Sequence, residues 1–196
     1  MALSFRLSEA EQAYLARLAR LSIESGLAGR WATLPPEPEC KEATAGSEAT
    51  PGTLLRALGS FVTLTLQGQL RGCIGTVQGR EALYQNVWRM ARAAAFEDPR
   101  FPPLTLHEWG RAALQISVLD ELAPCPDPTA IEVGRHGLAL QYMGRGGVFL
   151  PQVPVEQGWD QSAYLDNLCR KAGVPRGSWS APGARLFWFE ALVFPG

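Results

Sequence analysis

Phe61-Val62-Thr63-Leu64-Thr65-Leu66-Gln67-Gly68-Gln69-Leu70-Arg71-Gly72-Cys73-Ile74 is the stretch on which the fold class turns. Its first six residues are β-branched, aromatic or leucine, a composition that fits a pleated, half-buried surface. Gln67-Gly68 interrupts the run as a turn, and Gln69 to Ile74 reads as the return strand of an antiparallel hairpin. On its N-terminal side the spacing predicts a helix over 8–28. Ser8 and Glu11 form a capping box, Ala10, Tyr14, Leu18 and Leu21 recur at helical intervals, and Gly26 and Gly29 end the helix. On its C-terminal side a helix is expected over 80–95, with Leu83, Val87, Met90 and Ala94 on one face. Thr105 with Glu108 is a second capping box. Leu114, Ile116 and Val118 alternate as a strand. His136 to Met143 and Val148 to Leu150 read as strands around the turn Gly144-Arg145-Gly146-Gly147. A helix over 160–172 starts at Asp160 and stops at Gly173. Residues 185–194 read as one last strand. Hairpins outnumber βαβ units, so the class is α+β rather than a doubly wound parallel sheet.

The chain has 196 residues, 46% of them hydrophobic, enough to bury a core in one domain or two small lobes. The formal net charge is -1, and no Lys/Arg-rich run is present. Binding to nucleic acid needs cations to neutralise phosphates, so composition argues against that function. No apolar run approaches the ~20 residues of a membrane span, and the N-terminus lacks the pattern of a signal sequence, so a cytoplasmic protein is expected. Cys40, Cys73, Cys125 and Cys169 are far apart, without zinc spacing, and are read as reduced thiols. Two histidines, His107 and His136, lie away from carboxylate clusters, so neither a metal nor another cofactor is expected. Residues 31–52, rich in Pro, Glu, Thr, Ala and Gly, are expected to form a long mobile connection.

At Leu70-Arg71-Gly72-Cys73-Ile74-Gly75-Thr76 the sequence resembles the signature of the AMMECR domain family. Further segments resemble that family in order: Ala94 to Thr105, Gln115-Ile116-Ser117-Val118-Leu119, His136-Gly137-Leu138, and Leu150 to Pro154. Glu156, Trp159-Asp160 and Leu168 to Gly173 follow. The likeness runs from about the first helix to Phe194 and departs from the family pattern at 31–52. It implies a single domain over 1–196 of two packed lobes, with mixed or antiparallel sheets partly covered by helices. It also implies kinship with the prokaryotic AmmeMemoRadiSam system protein A branch, and hence a shared pathway with Memo-like and radical-SAM proteins.

Cys73 and His136 are the candidate catalytic residues. Gly72 and Gly75 bracket the thiol and let a backbone or a ligand approach it. Arg71 can hold a thiolate, or grip a carboxylate or phosphate bidentately. His136 can serve as a base toward Cys73, or can simply bind backbone. Asp98 and Arg100 are expected to pair and stiffen the loop Asp98-Pro99-Arg100-Phe101-Pro102-Pro103, with Phe101 as its anchor. That loop can alternatively wall a cleft, with Gln152 and Glu156 lining its other side. Buried cysteine is equally at home as a small hydrophobe. Two readings follow: a partner or accessory subunit acting with the Memo-like and radical-SAM proteins, or an enzyme using Cys73 on a small molecule or a protein side chain.

Overall fold

The computed structural model describes residues 3–32, 34–38 and 52–196. Most of the expected connection over 31–52, and Cys40 with it, therefore lies outside the described residues. In chain order the elements are α1 (Glu9–Leu27), β1 (Gly59–Leu66), β2 (Gln69–Thr76), α2 (Leu83–Phe96), α3 (Leu106–Trp109) and β3 (Ala112–Leu119), then β4 (Ala123–Pro124), β5 (Gly137–Tyr142), β6 (Arg145–Phe149), α4 (Gln152–Glu156), α5 (Gln161–Ala172), β7 (Arg185–Phe189) and β8 (Ala191–Pro195). The α+β class is as expected. There are two four-stranded sheets, ordered β2-β1-β3-β8 and β4-β7-β5-β6, and the strand pairs with defined register are antiparallel. No described helix is long and apolar enough to cross a membrane.

The chain divides into two compact units. One, over 4–119 and 192–196, holds the first sheet with α1, α2 and α3. Its core is one sheet face, where Val62, Leu64, Ile116 and Val118 are sealed from solvent. Fully burying such side chains contributes about 1.5–3 kcal/mol each. The polar Asn86 of α2 is equally buried, and its amide is satisfied within the core. Ser60 donates to its Oδ1 at 2.7 Å, and its Nδ2 donates to Thr76 at 2.9 Å, so α2 is stitched to β1 and β2.

The other unit, over 120–191, holds the second sheet with α4 and α5. Leu138, Leu140 and Leu186 pack with Tyr164, Leu165, Leu168 and Cys169 of α5. Asp160 caps α5 through the Ala163 amide, and Gly173 closes it in the left-handed region at φ 71°, both as expected.

Three expectations about elements require correction. The buried face of α1 runs through Leu15, Leu18, Ala19, Ser22, Ile23 and Gly26, while Leu21 is exposed. Small residues make this interface: Ser22 donates to the Trp88 carbonyl at 2.7 Å, and Phe96 occupies the space of a Gly26 side chain. Gly26 is thus a contact residue inside the helix and not its terminator. The β5–β6 turn is Met143-Gly144 alone, at φ 51° and 72°, a two-residue hairpin turn with both residues left-handed. Arg145, Gly146 and Gly147 belong to β6. The last run is two strands, broken at Glu190 and paired into different sheets.

Packing of α2 onto β2 sets a sharp requirement at Gly72, where a Cβ would stand 2.1 Å from the Ala94 carbonyl oxygen. Gly72→Ala is expected to lower unfolding free energy by about 3 kcal/mol through overpacking. Gly110→Ala has 3.9 Å or more of clearance and is expected to be neutral or mildly stabilising, by about 0.5 kcal/mol. Urea titration of both variants checks the contrast.

Candidate functional site

The hairpin register decides where the motif residues point. Leu66 pairs with Gln69 and Thr65 with Leu70, but Leu64 pairs with Gly72, leaving Arg71 as an extra residue. Beyond this bulge Thr63 faces Cys73 and Val62 faces Ile74. Gly72 and Ile74 therefore share the α2 face with Leu64 and Val62, while Cys73 lies on the opposite face beside Thr63. A bulge re-aims its extra side chain, and Arg71 is turned to α3. Its Nε donates to Glu108 Oε1 at 2.8 Å, and its Nη2 donates to Glu108 Oε2 at 3.1 Å and to the Pro102 carbonyl at 2.9 Å. Glu108 Oε2 also accepts from the Thr105 amide at 2.8 Å and hydroxyl at 2.9 Å. The capping box of a four-residue helix thereby anchors a guanidinium that is only 7% exposed.

β2 is the edge of its sheet, so the outward backbone of Cys73 needs partners from elsewhere. The loop over 97–105 supplies them. Asp98 Oδ2 accepts from the Cys73 amide at 2.8 Å, and Arg100 Nη2 donates to the Cys73 carbonyl at 3.2 Å. The Asp98 carboxylate is 4% exposed and also accepts from Arg100 Nε at 2.9 Å, Nη2 at 2.7 Å and backbone N–H at 3.1 Å. The Phe101 ring lies 5.7 Å from the Arg71 guanidinium and 5.6 Å from that of Arg100. The expected Asp98–Arg100 pair and Phe101 anchor are thus present. The pairing of Arg71 differs from the thiolate-holding role considered for it.

The side chain at Cys73 is half-buried, and the Thr63 hydroxyl donates to its sulfur at 3.2 Å. Cys125 and Cys169 are free thiols as well. Gly75 faces Phe61, whose ring would meet an added Cβ at 2.2 Å. Both motif glycines are thus packing requirements: Gly72 admits a helix backbone, and Gly75 admits an aromatic ring.

His136, Gln152 and Glu156 lie in the other unit. His136 is 3% exposed, its Nδ1 accepts from the Glu132 amide at 3.0 Å, and its ring is 4.7 Å from that of Trp188. Burial first, and the neighbouring Arg135 second, push its pKa below the ordinary value. Its Nε2 is buried with no hydrogen-bond partner among the described residues. This is the backbone-binding histidine considered from sequence. Gln152 and Glu156 begin and end α4, and Glu156 is exposed. Among the described residues no group of three or more His, Cys, Asp or Glu is arranged to hold a metal.

Sequence reading found Arg71, Gly72, Cys73, Gly75, Asp98 and Arg100 as one region, and the fold gathers them on β2 and the loop beside it. It missed the second role of Glu108, although the Thr105/Glu108 box was legible. It also missed Thr63, because counting back from Gln67-Gly68 without a bulge pairs Thr63 with Gly72.

The two ion pairs have opposite exposures and predictable pH signatures. The Arg71 hydrogen bond, with help from the Thr105 amide, holds Glu108 down at about 2. The Arg100 hydrogen bond, with the Cys73 and Arg100 amides, holds Asp98 well below the usual carboxylate range. A depressed folded-state pKa stabilises above the unfolded value and is lost as pH falls through the folded one. The stability deficit of Glu108→Gln should therefore be full above about pH 5 and shrink between about pH 5 and 2. Asp98→Ala should cost about 1–3 kcal/mol at neutral pH, since it strands the Cys73 amide while the half-exposed Arg100 guanidinium turns to water. Denaturant melts across pH test both.

Comparison with known proteins places this architecture. The AMMECR1 family model matches residues 16–194. Protein MJ0810 of Methanocaldococcus jannaschii is 37% identical over 94% of this chain and 89% of its own length. A protein of Thermofilum pendens is 36% identical over 96% of this chain and 91% of its own. The crystal structure of uncharacterized protein PH0010 from Pyrococcus horikoshii superposes with a TM-score of 0.77 at 35% identity, covering 93% of this chain and 89% of that one. With a family match spanning both units, and relatives alike along nearly their full lengths, the chain belongs to the AMMECR1 family.

Proposed function

We propose that this protein is a non-catalytic partner or accessory subunit, and that it presents the β2 face and its bracing loop to Memo-like and radical-SAM proteins. The observation that supports the reading is the direction of the charges around Cys73. Arg71 is committed to Glu108, and Arg100 to Asp98. Nucleophilic use of a thiol calls for a base or a cation aimed at the sulfur, whereas the sulfur's hydrogen bond here comes from Thr63. A rigid, internally paired surface suits recognition, because little ordering entropy is lost on binding. Leu70 and Leu106, 43% and 74% exposed, flank the Arg71–Glu108 pair in sequence and add apolar contact area of the kind that partners cover.

The alternative, an enzyme using Cys73, draws support from the half-exposure of that thiol. The two readings separate on one set of variants. Leu106→Asp and Leu70→Asp should weaken co-purification with the two proposed partners by about tenfold or more, about 1.4 kcal/mol. Cys73→Ser should leave it intact and retain function in cells. Loss of function in Cys73→Ser with the complex intact favours the enzyme. Absence of a three-protein complex at micromolar concentration removes the accessory reading.

A further inference from the structure

The two sheets finish their edges differently. At β2 the outward amide and carbonyl of Cys73 are closed by Asp98 and Arg100. β4 is two residues long and ends in proline, and β8 ends at Pro195. Short edges and prolines are the usual ways of preventing strand addition. β6, Arg145–Phe149, is an edge strand of five residues with no proline. Its hairpin closes on the pair Tyr142–Arg145 around a two-residue turn, so hydrogen-bonded pairs fall at Arg145, Gly147 and Phe149. Gly146 and Val148 therefore direct their N–H and C=O groups away from β5. Among the described residues no backbone group beyond the β5–β6 ladder pairs with these outward groups.

Cationic side chains gather beside that edge. Arg145 is on the strand itself and donates to the Gly173 carbonyl. The last turn of α5 carries Arg170 and Lys171, and it packs against β6 so closely that a Cβ at Gly147 would meet the Ala172 nitrogen at 2.8 Å. Lys171 Nζ stands 4.2 Å from the Phe149 ring centre. At the hairpin end an open depression of about 470 Å³ is lined by Gln141, Gly146, Arg145 and Arg185 among others. Gly146, Gln141 and Arg185 occupy one row across three strands, and the missing side chain at Gly146 leaves the space.

We propose that the β6 edge is a strand-addition site for an extended acidic segment of a partner protein. The segment pairs with Gly146 and Val148 through main-chain hydrogen bonds, and its carboxylates fall against Arg145, Arg170 and Lys171. Main-chain bonds give affinity and the basic rim gives selectivity. A second copy of this chain is the wrong occupant, because edge-to-edge pairing would bring the two basic rims together.

The probe is a fluorescein-labelled peptide pool with a strand-length core of ~6 degenerate Val, Ile, Thr, Tyr and Phe positions, flanked by glutamates. A lysine-flanked pool is the control. Anisotropy and amide hydrogen exchange are read together on the full chain. The acidic pool should bind and slow exchange at Gly146 and Val148 by about tenfold or more, and the lysine pool should bind about tenfold more weakly or worse. Val148→Pro removes the outward donor at a position where an edge strand tolerates proline, and it should abolish binding with the thermal transition retained. Arg145→Glu should shift preference toward the lysine pool, which keeps the test decisive should the proline variant fail to fold. No slowing at millimolar pool, equal binding of both pools, or binding by folded Val148→Pro overturns the proposal. So does protection that appears without peptide and grows with protein concentration, which would mark a second copy as the occupant.

Discussion

One extra residue in β2 determines what the family motif presents. In an antiparallel pair, a one-residue slip exchanges the two faces. Without the bulge, Arg71 would lie opposite Leu64 on the α2 face, and Cys73 would join it opposite Val62. With Arg71 inserted as the unpaired residue, Gly72 meets the Ala94 carbonyl and the thiol moves to the other side. The bulge is held because the displaced guanidinium has a destination: both Glu108 oxygens and the Pro102 carbonyl. An arginine this buried without such partners would carry a penalty of several kcal/mol. α3, only four residues long, is therefore best understood as the device that holds Glu108 in place.

The edge position of β2 adds the second constraint. A lone edge strand offers backbone groups to any passing strand. Here the Asp98–Arg100 pair binds the amide and the carbonyl of the same residue, replacing a neighbouring strand with a side-chain clamp. That explains why the loop over 97–105 is stiff in composition and why Asp98 faces inward while Arg100 closes the clamp from the exposed side. It also explains why the motif can be rich in glycine without being a ligand cradle. Each glycine at 72 and 75 is filled by a neighbour within the protein.

The helices and hairpins were legible where signals were local. The Ser8/Glu11 and Thr105/Glu108 boxes, the Gln67-Gly68 turn, the Asp160 cap and the Gly173 stop are all settled within a few residues of chain, and all are present. Features set by distant partners were not legible. The buried face of α1 includes Ser22 and Gly26 beside Leu15, Leu18 and Ile23; the fit of the two small residues depends on Trp88 and Phe96, and hydrophobic periodicity is blind to them. The division of 185–194 at Glu190 is equally invisible, since both halves are apolar; it is made by Asp120, whose amide donates to the Glu190 carbonyl at 2.9 Å. Within the candidate site, the Asp98–Arg100 pair was legible because its members are two residues apart, but the partners of Arg71 and Cys73 were not, because a single bulge changed every register beyond it.

The central claim, that the Arg71 bulge sets Cys73 on the outer face as a half-buried thiol hydrogen-bonded by Thr63, is tested most directly by alkylation with iodoacetamide under native conditions. Residue-resolved mass spectrometry would compare Cys73 with the fully buried Cys169 and with the same thiols in the unfolded chain. The account predicts that Cys73 is modified in the folded protein, more slowly than when unfolded, while Cys169 reacts only on global unfolding. A Cys73 as protected as Cys169, or one that outpaces its unfolded counterpart near neutral pH, would contradict it.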